Sequence, residues 1–112
     1  MQLIEKETKK LLLAELEFAS SWWQRFRGLM FRRRFPKGYG LWLDRCSSIH
    51  TMWMRVPIDV YFLDREGVVL EHHEQVRPWS VAVPKQKAHA VLEIPFPQFK
   101  VVVGSQLVVE AS

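Results

Sequence analysis

Between Cys46 and Asp64 the chain gathers most of the side chains able to do chemistry. The segment holds the only cysteine, Cys46, one of four histidines, His50, and two of four methionines, Met52 and Met54. It also holds a carboxylate, Asp59, inside the apolar run Ile58 to Leu63. Cys46 with His50 would be a thiol nucleophile and its base, which requires the two side chains within about 3–4 Å and a lowered thiol pKa. Along a continuous strand their separation would be about 13 Å. Ser47-Ser48 must therefore turn the chain back for them to meet. Otherwise Cys46 is a small buried hydrophobe, the ordinary fate of a lone cysteine.

Asp59 poses a different problem, because an ionised carboxylate buried without a partner is strongly destabilising. Arg27 is the expected partner: it leads Arg27-Gly28-Leu29-Met30 at the end of the one expected helix, and a guanidinium grips a carboxylate with two donors. A buried Arg27–Asp59 pair would fasten the helix to the sheet without any catalysis. The other structural use of Asp59 is to accept backbone N–H groups near the kink at Pro57. Met52, Trp53, Met54, Trp42 and Trp79 either fill the core or wall an apolar pocket. The expected pocket is a concavity faced by His50 and bordered by Met52, Met54 and Trp79, with Cys46 reduced nearby. Its ligand would be small and apolar or weakly anionic.

Metal ligation meets an obstacle of spacing. There is no Cys-x-x-Cys or His-x-x-x-His pair, and the adjacent His72 and His73 point to opposite faces of a strand. Glu71, His73 and Cys46 could converge only through tertiary structure. No metal and no other cofactor is expected.

The net charge of +4 is unevenly placed. Residues 21–45 carry seven basic side chains, among them Arg25, Arg27, Arg32, Arg33, Arg34 and Lys37, against Asp44 alone. Such a patch can draw phosphate or acidic partners. A solvated arginine-rich turn is the commoner origin, so nucleic acid is not the favoured partner. With 112 residues the chain reads as one domain, and its apolar runs fall well short of the roughly 20 residues that span a bilayer. The N-terminus lacks the apolar core of a signal peptide, and a single cysteine suits a reducing compartment, so the cytoplasm is the expected location.

The elements that must position these residues are mostly strands. Lys10 to Phe18 alternates as a half-buried strand, and Leu41 to Leu43 starts the next. Ile49 to Met54 alternates again. Ile58 to Leu63 and Val68 to His73 flank Asp64-Arg65-Glu66-Gly67, a hairpin signal. Val76 to Lys87 reads as a loop, Ala88 to Ile94 as a strand, and a last strand follows Gly104. Ser21 and Gln24 form a capping box for a helix over residues 21–31, with Trp22, Phe26, Leu29 and Met30 at helical spacing. Trp22 and Trp23 diverge by about 100° on that helix, so one of them is exposed or meets a partner. About seven short strands and one helix give a mainly β (α+β) class, expected as a compact, barrel-like curled sheet.

Several spaced motifs carry a resemblance over roughly residues 8–110. They are Arg27-Gly28-Leu29-Met30, Gly40-Leu41-Trp42, Ile49 through Asp64, Pro78-Trp79, Val91-Leu92-Glu93 and Gly104. In this order they resemble the bacterial and archaeal domain of unknown function, family 192. The resemblance implies a small β-barrel-like domain, found free-standing, often secreted and sometimes not, with no established activity. Two departures stand out: Ile94-Pro95-Phe96-Pro97 replaces the family's small-residue-plus-Gly turn, and Gly104-Ser105 replaces its Gly-Asp. The functional expectation is a non-catalytic binding or accessory module with a candidate pocket around residues 46–59. A small-substrate enzyme using Cys46 and His50 is the alternative. Third comes an anionic partner, such as nucleic acid, held by the basic segment 25–45.

Overall fold

Alternating apolar residues become ten strands and one helix in the computed structural model of the protein, which describes residues 1–111. The strands are β1 (Gln2–Glu5), β2 (Leu11–Leu13), β3 (Glu15–Ala19), β4 (Tyr39–Asp44) and β5 (Ile49–His50). They continue with β6 (Ile58–Leu63), β7 (Val69–Val76), β8 (Val81–Ala82), β9 (Ala90–Pro95) and β10 (Leu107–Glu110). The helix α1 (Trp22–Arg27) lies between β3 and β4.

The strands do not close into a barrel. They form a five-stranded sheet in the order β3-β4-β9-β6-β7, a three-stranded sheet β10-β1-β2 and a short pair β5-β8. Every residue of β6 and β9 is buried, because both faces of the central sheet are covered. Ile58, Val60, Phe62 and Val91 pack into one cluster with Leu29, Ile49 and Ala82. Tyr61, Leu63, Leu92 and Ile94 pack into the other with Leu3, Leu13 and Leu107 of the small sheet. This second layer explains why the single strand expected over residues 10–18 is broken at Ala14. Its first part joins β1 and its second part joins β4.

The pairing of β3 with β4 is parallel, so the chain must cross over between them, and α1 lies in that crossover. The capping box forms: Ser21 Oγ accepts from the Gln24 N–H at 3.1 Å, and Gln24 Oε1 accepts from the Ser21 N–H at 3.2 Å. The helix is shorter than the expected 21–31, because Gly28 takes φ 48° and ends it. Leu29, beyond the cap, then enters the core, whereas no residue of α1 itself is buried. At the β6–β7 hairpin Asp64 Oδ1 accepts from the N–H groups of Glu66 and Val68, both at 2.9 Å. Gly67 takes φ 83°, and a Cβ there would stand 2.5 Å from the Leu107 carbonyl oxygen. Only glycine fits. Among the described residues, no helix is long and apolar enough to cross a membrane.

Candidate functional site

The two buried carboxylates of the central sheet lie on opposite faces. Asp59 lies opposite Ile94 across β6 and β9, and Glu93 lies opposite Val60. Side chains alternate along a strand, so Asp59 shares the face of Tyr61, and Glu93 shares that of Val91, toward α1.

The expected Arg27–Asp59 pair does not form. Asp59 Oδ2 bonds His72 Nε2 at 3.0 Å, while Oδ1 accepts from the Gln75 N–H at 2.9 Å and from Gln75 Nε2 at 3.1 Å. The His72 ring in turn stacks on Tyr61, with centroids 4.0 Å apart and planes 7° from parallel. Ile58 pairs with Val76 but Val60 pairs with His73, so β7 carries one extra residue at this point. Asp59 satisfies the donor that this bulge leaves unpaired. Arg27 sits exposed on α1, whereas Asp59 belongs to the sheet face turned away from the helix.

Glu93 is the group without a partner. It is 2% exposed, and its Oε1 has no hydrogen-bond partner among the described residues. Burial alone pushes its carboxyl from 4.5 up to about 8, so it is largely protonated near neutrality. The backbone of Gly28 passes close by: a Cβ at that position would stand 3.2 Å from Oε1. Glu93 and Gly28 line a cleft of about 300 Å³ between α1 and the sheet. Trp22, Arg25 and Phe26 of α1 contribute one wall, and Cys46, Ser48, Ile49, His50 and Val81 complete it.

Cys46 and His50 thus share a cleft, but not as nucleophile and base. Cys46 Sγ donates to the Ser48 carbonyl at 3.0 Å, and burial pushes the thiol up from 9.0. His50 is engaged at both nitrogens. Its Nδ1 accepts from the Met52 N–H at 3.2 Å, which leaves Nε2 to carry the proton and donate to the Phe26 carbonyl at 3.0 Å. His50 thereby holds the end of α1 against β5, and Phe26 packs on its ring with centroids 5.3 Å apart. Alkylation by iodoacetamide at neutral pH should accordingly be slower for Cys46 in the folded protein than for a free cysteine, and accelerate on unfolding. A native rate above that of free cysteine would mark an activated thiolate.

The expected border of Met52, Met54 and Trp79 belongs elsewhere. Met54 and Trp79 line a second depression of about 280 Å³ with Phe31, Trp53 and Arg55, and Met52 lines neither hollow. Around this depression Phe31, Trp53 and Trp79 all adopt left-handed backbone, with φ of 65°, 63° and 63°. Such conformations are costly for bulky residues and persist only where surrounding contacts enforce them. Buried Thr51 holds the Trp79 end, its Oγ1 accepting from the Ser80 N–H at 2.7 Å and its carbonyl from the Trp79 N–H at 2.9 Å, while the Phe31 N–H donates to the Trp53 carbonyl at 2.8 Å. The three rings remain more than half exposed.

The basic patch is divided. Arg32 donates to the Tyr39 hydroxyl at 2.8 Å and lies over the Phe35 and Tyr39 rings at 4.8 Å, so it is largely committed to structure. Arg25 donates to the Ser20 carbonyl at the cleft edge. Arg33, Arg34 and Lys37 are exposed. Glu71 and His73 bond each other at 3.0 Å, and Glu71 also accepts from the Lys85 and Gln86 backbone. They anchor the loop at Lys85 and Gln86. Glu93 escaped the reading of single residues, although the signal that marked Asp59, a carboxylate within an apolar strand, is equally present in Ala90-Val91-Leu92-Glu93-Ile94.

Fold and cleft together define a small, mainly β domain in which a short helical crossover overhangs a buried carboxyl group. The chain belongs to the DUF192 family, described as "Uncharacterized ACR", whose profile matches residues 3–109. It is 36% identical over 89 residues to a UPF0127 protein of Pyrococcus furiosus, covering 77% of this chain and 76% of that one. It is 34% identical over 97 residues to a UPF0127 protein of Pyrococcus horikoshii, covering 83% and 84%. A Novosphingobium aromaticivorans protein of unknown function superposes with a TM-score of 0.84 at 18% identity, over 97% of this chain and 84% of its own. A Sinorhizobium meliloti protein provisionally described as a transcription regulator superposes with a TM-score of 0.81 at 24% identity, over 96% and 89%. At those identities the two structures speak to the fold alone.

Proposed function

We propose that this domain is a non-catalytic binding module whose ligand seats in the cleft between α1 and the central sheet. The observation that carries this reading is Glu93: a buried carboxyl oxygen without a donor among the described residues, lining a cleft that Trp22 and Phe26 also wall. An unmade hydrogen bond in the interior costs about 1–3 kcal/mol, and a ligand that supplies the donor recovers it. The Cys46 and His50 bonds argue against nucleophilic chemistry at the same place. Fragment screening by NMR tests the proposal. Hits should shift Trp22, Phe26 and His50 together. Hits confined to the Phe31–Trp53–Trp79 depression would overturn it.

A second reading rests on a separate observation. The exposed rings of Trp22, Trp23, Phe31, Trp53 and Trp79 stand beside exposed arginines, a surface suited to an anionic partner such as single-stranded nucleic acid. Charge-driven association weakens steeply with salt. The expected result is no submicromolar complex with single-stranded DNA or RNA at physiological salt. A tight, salt-sensitive complex would bring this reading forward.

A further inference from the structure

We infer that the group recognised at Glu93 is a primary ammonium carried on an aromatic or apolar body. This inference rests on the cleft being the ligand site and names what the site selects. Three features of the cleft point the same way. The floor offers carboxyl oxygens and no donor reaching Oε1, so the ligand must bring hydrogens to give. Among the described residues no basic side chain forms an ion pair with Glu93, and burial is the influence that raises its carboxyl, so a cation from outside would supply a counter-charge. The walls include the rings of Trp22 and Phe26, which stack on each other with centroids 5.5 Å apart. Aromatic faces attract cations and also accept an apolar body.

The charged and titratable groups that line this cleft are Arg25 on α1, Cys46 after β4, His50 on β5 and Glu93 on β9. Arg25 is turned to the Ser20 carbonyl, and His50 is held by Met52 and Phe26. Glu93 is therefore the group left to answer a ligand's charge. Binding an ammonium ionises Glu93: the carboxyl O–H bond breaks, its proton passes to solvent, and the carboxylate pairs with the ligand's N–H groups. Below the raised carboxyl pKa of about 8, this release must make affinity increase with pH.

Benzylamine, benzyl alcohol and benzoate, close in shape and different in charge and donors, separate the possibilities when titrated against the intact chain by NMR. Benzylamine should bind at least about tenfold more tightly than benzyl alcohol at pH 8, with benzoate not binding. Its Kd should rise by up to about tenfold per pH unit from pH 8 to pH 6. Glu93→Gln should remove both the preference and the pH dependence, and exposed Trp22→Ala should weaken binding without disturbing the core. Equal binding of alcohol and amine at the cleft would overturn the ammonium assignment while leaving the cleft as the ligand site. A pH dependence that survives Glu93→Gln would also overturn it. If none of the three compounds moves Trp22 or His50, the cleft reading itself fails.

Discussion

Raising the pH from 4.5 toward 8 is expected to destabilise this protein, by up to roughly 1.4 kcal/mol per pH unit, through Glu93 alone. The direction is opposite to that of an ordinary ion-paired carboxylate. Between these pH values the unfolded chain has released the Glu93 proton, and the folded chain still holds it. The stability conferred by the neutral carboxyl is therefore complete below 4.5 and is lost as the pH passes through about 8. Glu93→Gln keeps the shape and removes the titration. The variant should unfold with much less change in urea midpoint between pH 5 and pH 8.5, and should exceed the parent by roughly 3–5 kcal/mol at the upper end. Parallel curves for the two proteins would show that Glu93 already finds a partner or water in the folded state.

Asp59→Ala should cost about 3 kcal/mol at neutral pH, since it removes a carboxylate that accepts three hydrogen bonds at the β7 bulge. The loss is concentrated in two places. The Gln75 N–H is held in a left-handed residue, φ 47°, and loses its acceptor. His72 loses the bond that fixes its ring on Tyr61. Asp59→Asn retains an acceptor for Gln75 and lets His72 exchange tautomer, so it should lose only about 1 kcal/mol. Urea denaturation of the two variants checks this order. Arg27→Ala, by contrast, should be nearly neutral, because the side chain is exposed and makes no ion pair among the described residues. Equal losses for Arg27→Ala and Asp59→Ala would restore the ion pair that the geometry denies.

Much of the local structure was legible along the chain because its causes are local. Ser21 and Gln24 announce a helix start through hydrogen bonds made within four residues. Asp64 to Gly67 announces a hairpin through side-chain acceptors and a left-handed glycine. Ile58 to Leu63 read as a buried strand and Ala88 to Ile94 as a strand, and the strands they form, β6 and β9, are buried throughout. The mainly β class follows from these short-range facts.

The sequence by itself thus determined the strand-rich class, the capped helix start, the hairpin and the presence of a carboxylate needing a partner at residue 59. Tertiary structure alone decided that the strands form three sheets and not a barrel. Ala14 breaks a continuous apolar alternation only because two different sheets claim its two sides. It also decided which carboxylate stays unsatisfied. Asp59 and Glu93 look alike in a string of apolar neighbours, but the bulge in β7 brings donors to Asp59, and the end of α1 brings only Gly28 to Glu93. Partners for a buried charge come from strands and turns distant in sequence, and their approach is set by packing, which no spacing along one strand encodes.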